Sequence, residues 1–166
     1  LDVGDTLISN RLKKYLVYFE DGYDCVTSNM IDSKKTFFDE SLDRIVTDQN
    51  LMRMIVTNIY SNAVKYTKEK GTIHLGFGKK DGDLIITIAD NGMGIPAEDQ
   101  DGIFSKLYRA SNAVRDVPDG TGLGLYIVKE AVSVLKGNIS FTTTENIGTT
   151  FEVVLPLELA KEDRVK

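Results

Sequence analysis

Two asparagines and a lysine recur at helical spacing in the segment after Asp48. Asn58, Asn62 and Lys65 are four and three residues apart, so in a helix they lie on one side. Asparagine gains nothing in the interior of a helix, whereas its amide oxygen is a hard ligand that suits Mg²⁺ beside substrate phosphates. The lysine adds a positive charge for a phosphate group. The pattern is therefore typical of a magnesium and phosphate site, and a solvated helix face is the alternative for either asparagine taken alone.

Six of the 14 glycines fall between Asp90 and Gly124, which indicates backbone shaped around a ligand. Asp90-Asn-Gly-Met-Gly-Ile95 follows a predicted strand. Its carboxylate can accept a hydrogen bond from an exocyclic amine, and its glycines let a flat base lie against the backbone; an ordinary turn is the alternative. Gly120-Thr-Gly-Leu-Gly-Leu125 opens a predicted helix, whose free N–H groups form an anion site. It fits neither the Rossmann nor the P-loop pattern, because no strand precedes it and no Gly-Lys-Ser/Thr follows.

Hydrophobic periodicity predicts the elements that must position these residues. Asp48 is suited to cap a helix whose apolar stripe runs from Met52 to Ala63. Asp81-Gly82 is a hairpin signal between two alternating segments, and Gly137 is the expected stop of a second long helix. The predicted helices are 7–20, 48–67 and 121–135, and 21–35 is a polar loop. The predicted strands are 37–38, 44–47, 72–79, 83–90, 138–143 and 149–155. The connection of about 30 residues before the last helix is predicted to hold at most a short helical piece, at 103–108.

The composition is that of one globular domain. The chain has 166 residues, 42% hydrophobic and 27% charged, so it can bury a core without disulfides or a structural metal. Its 20 Lys and Arg against 25 Asp and Glu argue against a nucleic-acid or acidic-membrane binder held by bulk charge. Single Cys25 and His74 residues exclude an internal disulfide and a zinc site built on a His or Cys pair. No apolar run is long enough to span a bilayer, and because the chain starts at Leu1 we expect a piece of a longer protein.

Taken in this order, the motifs resemble those of the sensor histidine kinases. The resemblance covers 48–156 and is carried by four sequence boxes and a closing strand. The stretch 58–67, Asn-Ile-Tyr-Ser-Asn-Ala-Val-Lys-Tyr-Thr, is similar to the N box, 90–95 to the G1 box, 103–110, Ile-Phe-Ser-Lys-Leu-Tyr-Arg-Ala, to the F box, and 120–125 to the G2 box. Gly-Thr-Thr-Phe at 148–151 matches the closing strand.

The resemblance implies an α+β fold, in agreement with the segregation of hairpins and helices along the chain. The implied architecture is a two-layer α/β sandwich, the Bergerat ATP-binding fold of the GHKL proteins. It has a mixed, mostly antiparallel sheet, helices on one face and a flexible ATP lid, here at 96–119. The resemblance also implies one catalytic domain over 1–160 and a charged tail at 161–166. The phosphoacceptor dimerisation domain would lie outside this chain.

The resemblance further implies ATP and Mg²⁺ as cofactors and gives each motif residue a role. Asn62 would bind Mg²⁺ with help from Asn58, and Lys65 would meet a phosphate. Asp90 would hold the adenine amine, supported through water by Thr149. Arg109 would contact the γ-phosphate, and Arg115 is a weaker candidate for the same role. The implied catalytic set is Asn58, Asn62, Lys65 and Arg109. The other implied ATP-binding residues are Tyr66 at the adenine or ribose, Gly92, Gly94 and Ile95 at the base pocket, and Gly120, Thr121, Gly122, Leu123, Gly124 and Leu125 at the phosphate loop.

Asn58 favours phosphoryl transfer over hydrolysis. Hydrolytic members of this fold carry a glutamate four residues before the magnesium asparagine, whereas the neutral amide of Asn58 is a poor base. His74 lies in a predicted strand without an acidic neighbour, so it is not the expected acceptor. We expect transfer of the γ-phosphoryl group of Mg-ATP to a histidine on a separate domain in two-component signal transduction. A serine/threonine kinase of the same fold, of the anti-sigma-factor type, and a nucleotide-binding regulatory module are the alternatives.

The expected partners follow from this function. They are the protein's own helical phosphoacceptor domain and, downstream, a response-regulator receiver domain. We expect no nucleic acid and no membrane contact by this segment. The isolated domain is expected to be a monomer and the full-length protein a homodimer, in the cytoplasmic part of a bacterial-type sensor that can be membrane-anchored.

Overall fold

The computed structural model describes residues 48–156. The elements predicted at 7–20, 21–35, 37–38 and 44–47 and the charged tail at 161–166 lie outside the described residues. None of the helices within 48–156 is long and apolar enough to cross a membrane.

Helix α1 spans Gln49–Tyr66 and begins at the predicted cap. The Asp48 carboxylate accepts hydrogen bonds from the backbone N–H groups of Asn50 and Leu51 at 2.8 and 3.0 Å, which satisfies donors that a helix N-terminus otherwise leaves unpaired. Its buried face follows the spacing of three and four residues that places side chains on one side of a helix. That face consists of Met52, Ile55, Val56, Ile59, Tyr60 and Ala63.

Four strands form one sheet in the order β1-β2-β4-β3. All three pairings are antiparallel, so the part of the predicted mixed sheet that lies in 48–156 contains no parallel pair. The predicted turn joins the first two strands, with Asp81 and Gly82 both at positive φ, 55° and 92°. The strands are β1 Ile73–Lys80, β2 Asp83–Asp90, β3 Asn138–Thr144 and β4 Gly148–Pro156.

The core lies between one face of this sheet and helices α1 and α3 (Gly124–Val134). Alternate residues of β2 and β4 point into it, as expected for strands with one covered face. The two-layer α/β arrangement predicted above is therefore the observed one. The central strands contribute Leu84, Ile86, Ile88, Phe151, Val153 and Leu155, and α3 contributes Val128, Ala131 and Val132.

Both ends of α3 differ from the prediction. The helix begins at Gly124 rather than at 121, because Gly122 has a φ of 66°, which is not helical. At the other end the left-handed position is taken by Lys136, with a φ of 56°, and the predicted stop Gly137 follows it. The Gly137 N–H donates to the Val132 carbonyl at 2.9 Å, which closes a Schellman motif. Gly137 is needed for space, since a Cβ there would lie 2.4 Å from the Val154 carbonyl oxygen.

The segment 96–119 contains two short helices. Neither lies at 103–108, so the prediction of a short helical piece there is wrong. A 3₁₀ helix spans Ala97–Gly102 and helix α2 spans Ser111–Asp116. Between them Leu107 has a φ of 64°, so the chain reverses where the apolar pattern suggested a helix. This segment packs over the sheet edge beside β3 through the edge-on contact of Phe104 with Phe141, whose ring centroids are 5.8 Å apart.

Candidate functional site

A cavity of about 490 Å³ opens between α1, the segment 96–119 and the end of β2. It is bounded below by β4 and at one end by the N-terminus of α3. All of the predicted ATP-binding residues except Gly92 line it: Asn58, Asn62, Lys65, Tyr66, Asp90, Gly94, Ile95, Arg109, Gly120, Thr121, Gly122, Leu123, Gly124, Leu125 and Thr149.

Asp90 forms a polar group at one end of the cavity. Its Oδ1 accepts hydrogen bonds from the backbone N–H groups of Gly92 at 2.8 Å and Thr149 at 3.3 Å. Burial raises the pKa of this carboxyl, and the two hydrogen bonds act in the opposite direction. No hydrogen bond within 48–156 occupies Oδ2. Asp90 can therefore accept a hydrogen bond from a ligand in the cavity.

The two G1-box glycines permit close backbone approach on either side of Asp90. Gly92 does not line the cavity; a Cβ there would lie 2.4 Å from the Tyr66 carbonyl oxygen, so it lets the loop approach the end of α1. Gly94 does line it and has a φ of 62°, and a Cβ there would lie 2.1 Å from the Thr144 carbonyl oxygen. Together they hold the loop between α1 and the β3–β4 hairpin.

Asn58 and Asn62 face the start of α3 across the cavity. The Asn58 Nδ2 donates to the Met54 carbonyl at 2.7 Å, and this bond fixes the direction of its amide. Its Oδ1 lies 3.2 Å from the point that a Cβ on Gly124 would occupy, and the Asn62 Nδ2 lies 3.8 Å from that point. The missing side chain at Gly124 therefore leaves both amides open to a ligand at the helix N-terminus.

The donor set at this end fits a magnesium ion carried by phosphates. Among the residues of 48–156, no group of three or more His, Cys, Asp or Glu could hold a metal by itself. Mg²⁺ bound to a nucleotide keeps several waters and takes only one or two protein oxygens besides the phosphates. The amide oxygens of Asn58 and Asn62 can supply these ligands, and Asn62 is the residue predicted for this role.

Two cations converge on Gly120. The Lys65 Nζ lies 2.9 Å and the Arg109 Cζ lies 3.3 Å from the position that a Cβ on Gly120 would take. The same Nζ lies 5.8 Å from the centroid of the Tyr66 ring. Two positive side chains beside a glycine loop form a site for an anion with several negative charges, such as a polyphosphate.

Arg109 also holds the segment 96–119 in its present fold. Its Nη1 donates to the Pro118 carbonyl at 2.9 Å and its Nη2 to the Ala113 carbonyl at 2.9 Å. Nη2 also contacts the Val117 carbonyl. The Arg109 Nε is buried without a hydrogen-bond partner and lies 3.3 Å from the position that a Cβ on Gly120 would take, so this donor is open to an anion beside Gly120.

Arg115, the weaker candidate, does not reach the cavity. It is exposed and pairs with Asp116 through Nε at 2.7 Å and Nη2 at 2.9 Å. This contact raises the pKa of Arg115 and lowers that of Asp116. Arg115 is thus solvated in the last turn of α2.

The cavity is also lined by residues outside the predicted ATP-binding set. Asn112 is 3% exposed, and its Nδ2 donates to the Gly94 carbonyl at 3.0 Å, while its Oδ1 is buried with no hydrogen-bond partner. No local pattern marks this residue, because its burial depends on how α2 packs over Gly94. The other lining residues outside the predicted set are Ser61, Ala63, Met93, Ile103, Tyr108, Ala110, Ala113, Ile127 and Phe151.

Comparison with known proteins gives a consistent set of relatives. Sensor protein CiaH of Streptococcus pneumoniae (serotype 4) is 40% identical over 114 residues, which make up 69% of this chain and 26% of that protein. Sensor histidine kinase WalK of Bacillus subtilis is 37% identical over 118 residues, or 70% of this chain and 19% of that protein. The chain thus spans about a quarter or less of the length of these curated relatives.

Solved structures give the same result. A mycobacterial sensor histidine kinase, MprB, superposes with a TM-score of 0.62 and 27% identity over 68% of this chain and 76% of that one. Full-length ShkA in complex with AMPPNP has a TM-score of 0.60 and 29% identity over 70% of this chain and 23% of that one.

The family model described as "Histidine kinase-, DNA gyrase B-, and HSP90-like ATPase" matches residues 47–159. This range includes α1, the whole sheet and every residue that lines the cavity. The chain belongs to this ATPase family, as the ATP-binding domain of the histidine-kinase type.

Proposed function

We propose that this chain binds Mg-ATP in the cavity and donates the γ-phosphoryl group to a histidine on a separate phosphoacceptor domain in two-component signalling. The observation that carries the proposal is the polarity of the cavity. One end presents the Asp90 carboxylate, and the other presents the Asn58 and Asn62 amides with two cations. A purine with an exocyclic amine fits the first end, and a triphosphate fits the second.

The binding roles follow from these contacts. Asp90 would accept a hydrogen bond from the adenine amine, and Lys65 and Arg109 would bind phosphate oxygens beside Gly120. The backbone N–H groups at the start of α3 would add a fixed positive field. Asn62, with Asn58 beside it, would hold Mg²⁺, which neutralises charge on the transferred group when it is bound.

The described cavity offers no base for activating water near the phosphates. Among the lining residues within 48–156, Asp90 is the one carboxylate, and it lies at the base end. Asn58 is neutral, and its amide nitrogen is already bonded to Met54. Positioning and charge neutralisation suffice for transfer to an acceptor that carries its own base. This favours kinase chemistry over hydrolysis.

The acceptor is proposed to lie on another domain. His74 is the one histidine of the chain; it is exposed on β1 and does not line the cavity. The partner would be a helical phosphoacceptor domain of the same full-length protein, which passes the group to a response-regulator receiver domain. In this proposal the reaction takes place in the cytoplasm, where ATP is available.

Phosphotransfer can be tested with this chain, γ-labelled ATP and a purified histidine-phosphoacceptor domain. We expect an acid-labile, base-stable label on the acceptor, and we expect its loss in the Asp90→Asn control. An acid-stable label would indicate a serine/threonine kinase of the same fold instead. Retained ATP binding without any label would indicate a regulatory nucleotide-binding module.

A further inference from the structure

The Thr143 side chain lies behind the base end of the cavity and contacts three polar groups. Its Oγ1 accepts a hydrogen bond from the Ile95 N–H at 3.0 Å and lies 3.0 Å from the Gly148 carbonyl oxygen. It also lies 2.9 Å from the Thr149 Oγ1. Thr143 does not line the cavity, whereas Thr149 does and is only 6% exposed.

The direction of each hydrogen bond in this chain follows from counting protons. A hydroxyl group has one proton, and a carbonyl oxygen can only accept. Thr143 therefore uses its proton on Gly148, and Thr149 must be the donor in the contact between the two hydroxyls. The Thr149 proton then points away from the cavity, so its hydroxyl has only lone pairs to offer a ligand.

A second acceptor lies beside this hydroxyl. The Thr149 N–H donates to the Asp90 Oδ1 at 3.3 Å, and the ionised Asp90 carboxylate can only accept. The antiparallel register supports this arrangement, because Asp90 pairs with Thr149 and Thr149 with Thr143 across β2, β4 and β3. The base end of the cavity thus presents acceptors from both side chains.

We propose that Thr143 is a positioning residue for base specificity, because it makes the Thr149 hydroxyl an obligate acceptor toward the nucleotide. The inference rests on the nucleotide-binding function proposed above. A base with an amino group at this edge can donate to the Thr149 hydroxyl. A base with a carbonyl in the same place would put its acceptor oxygen against the Thr149 oxygen, which is also an acceptor. An unpaired buried polar group is costly, so such a site rejects the wrong base strongly.

The test compares the affinities of the chain for ATP and for inosine triphosphate, which carries a carbonyl where ATP carries the amine. Both are measured by titration calorimetry on the wild type and on Thr143→Val, which keeps the shape and frees the Thr149 hydroxyl to rotate. The variant also removes the acceptor of the Ile95 N–H, an effect that should act on both nucleotides alike. We expect the preference for ATP to fall by about three- to tenfold, the size of one neutral hydrogen bond. Thr143→Ser keeps the hydroxyl and should restore the preference.

Thr142→Val is the matched control, because Thr142 is the adjacent exposed residue of β3 and does not line the cavity. It should leave the preference unchanged. If Thr143→Val weakens both nucleotides equally, Thr143 is merely structural and the inference is wrong, although the proposed function stands. If the wild type binds neither nucleotide, the proposed function itself fails.

A second variant keeps the test decisive if Thr143→Val does not fold. Thr149→Val removes the acceptor itself and should reduce the preference for ATP by a similar factor. In the double variant Thr143→Val with Thr149→Val the two effects should not add, because both act through one hydroxyl. Additive effects, or an unchanged preference in Thr149→Val, would overturn the proposal.

Discussion

In the proposed function, Asp90 is the residue on which recognition of the base would depend. Two backbone N–H groups hold its Oδ1, while burial makes its ionised form less favourable and raises its pKa. The carboxylate is therefore held in a fixed orientation at some cost in stability. Carboxyl groups with perturbed pKa values cluster at functional sites.

Replacing Asp90 by Asn should weaken ATP binding by about 2–3 kcal/mol, the value of a hydrogen bond to a charged group. The amide keeps the size of the side chain but presents a neutral acceptor or a donor to the adenine amine. Titration calorimetry of the two proteins gives the difference. Equal affinities would show that Asp90 does not contact the base.

The pH dependence of ATP binding should follow the ionisation of Asp90. Because burial raises the pKa of Asp90 above 3.8, binding should be lost on acidification at a higher pH than an ordinary aspartate would give. The pH dependence of stability runs the other way from that of binding. The folded state holds the Asp90 proton more tightly than the unfolded state, so the contribution of Asp90 to the free energy of unfolding is present at low pH and is lost as the pH rises through the raised pKa. Affinity is measured against pH in the wild type and in Asp90→Asn, which should lack this acid limb. The same limb in both proteins would assign it to another group.

Among the elements, the loop before α3 depends on a contact that is distant in sequence. Gly122 has a φ of 66°, and its carbonyl accepts the Leu107 N–H at 3.0 Å. A Cβ on Gly122 would lie 2.6 Å from the Leu107 carbonyl carbon. The loop before α3 and the segment 96–119 are therefore joined backbone to backbone.

Gly122→Ala should lower the free energy of unfolding by at least about 1–2 kcal/mol, the cost of a left-handed conformation for an L-residue. It should also weaken ATP binding, because the loop must move away from Leu107. Gly78→Ala is the control, since Gly78 lies in β1 with open space around its Cβ position. Urea unfolding of both variants measures the effect, and equal stability of the two would contradict the assigned strain.

Asp99 links the two short helices of the segment 96–119. Its carboxylate accepts hydrogen bonds from the Tyr108 hydroxyl at 2.7 Å, the Ser111 hydroxyl at 2.7 Å and the Ser111 N–H at 2.8 Å. These bonds, that of Tyr108 first, lower the pKa of Asp99. Its stabilising contribution is therefore present above pH 3.8 and is lost as the pH falls through the lowered pKa.

Asp99→Asn should destabilise this segment by about 1–3 kcal/mol, because a neutral amide with one acceptor oxygen replaces a carboxylate that accepts three part-buried hydrogen bonds. Hydrogen exchange of the α2 amides should become faster, while the amides of β2 keep their protection. The exposed neighbour Glu98 provides the control substitution Glu98→Gln. Unchanged exchange in α2 would show that Asp99 does not hold the segment.

The elements that sequence predicted correctly are those governed by local rules. The Asp48 cap, the apolar stripe of α1 and the Asp81-Gly82 turn need only neighbours within a few residues. The start of α3 and the short helices of 96–119 were misplaced, because the Gly122–Leu107 contact and the Asp99 bonds join residues far apart in sequence. The motif residues did identify the cavity, but the burial of Asn112 and the position of Thr143 behind it required the folded register.

In the molecule as a whole, the proposed function would make the cavity only half of a phosphotransfer site. The chain spans 19–26% of the length of two curated relatives that are sensor kinases. The cavity brings together the Asp90 carboxylate, cationic side chains and amides from separate parts of the chain, but the acceptor is proposed to come from another domain. Arg109 lines the cavity and also bonds to carbonyls of 96–119, so in this proposal one side chain contacts both a phosphate and this segment.

A crystal structure of this chain with AMPPNP and Mg²⁺ would locate the nucleotide. We expect the adenine amine against Asp90 and Thr149 and the triphosphate between Asn62, Lys65 and the loop 120–124, with the metal at the Asn62 amide oxygen. Nucleotide density elsewhere on the molecule, or a base at the asparagine end with phosphates at Asp90, would contradict the proposed site.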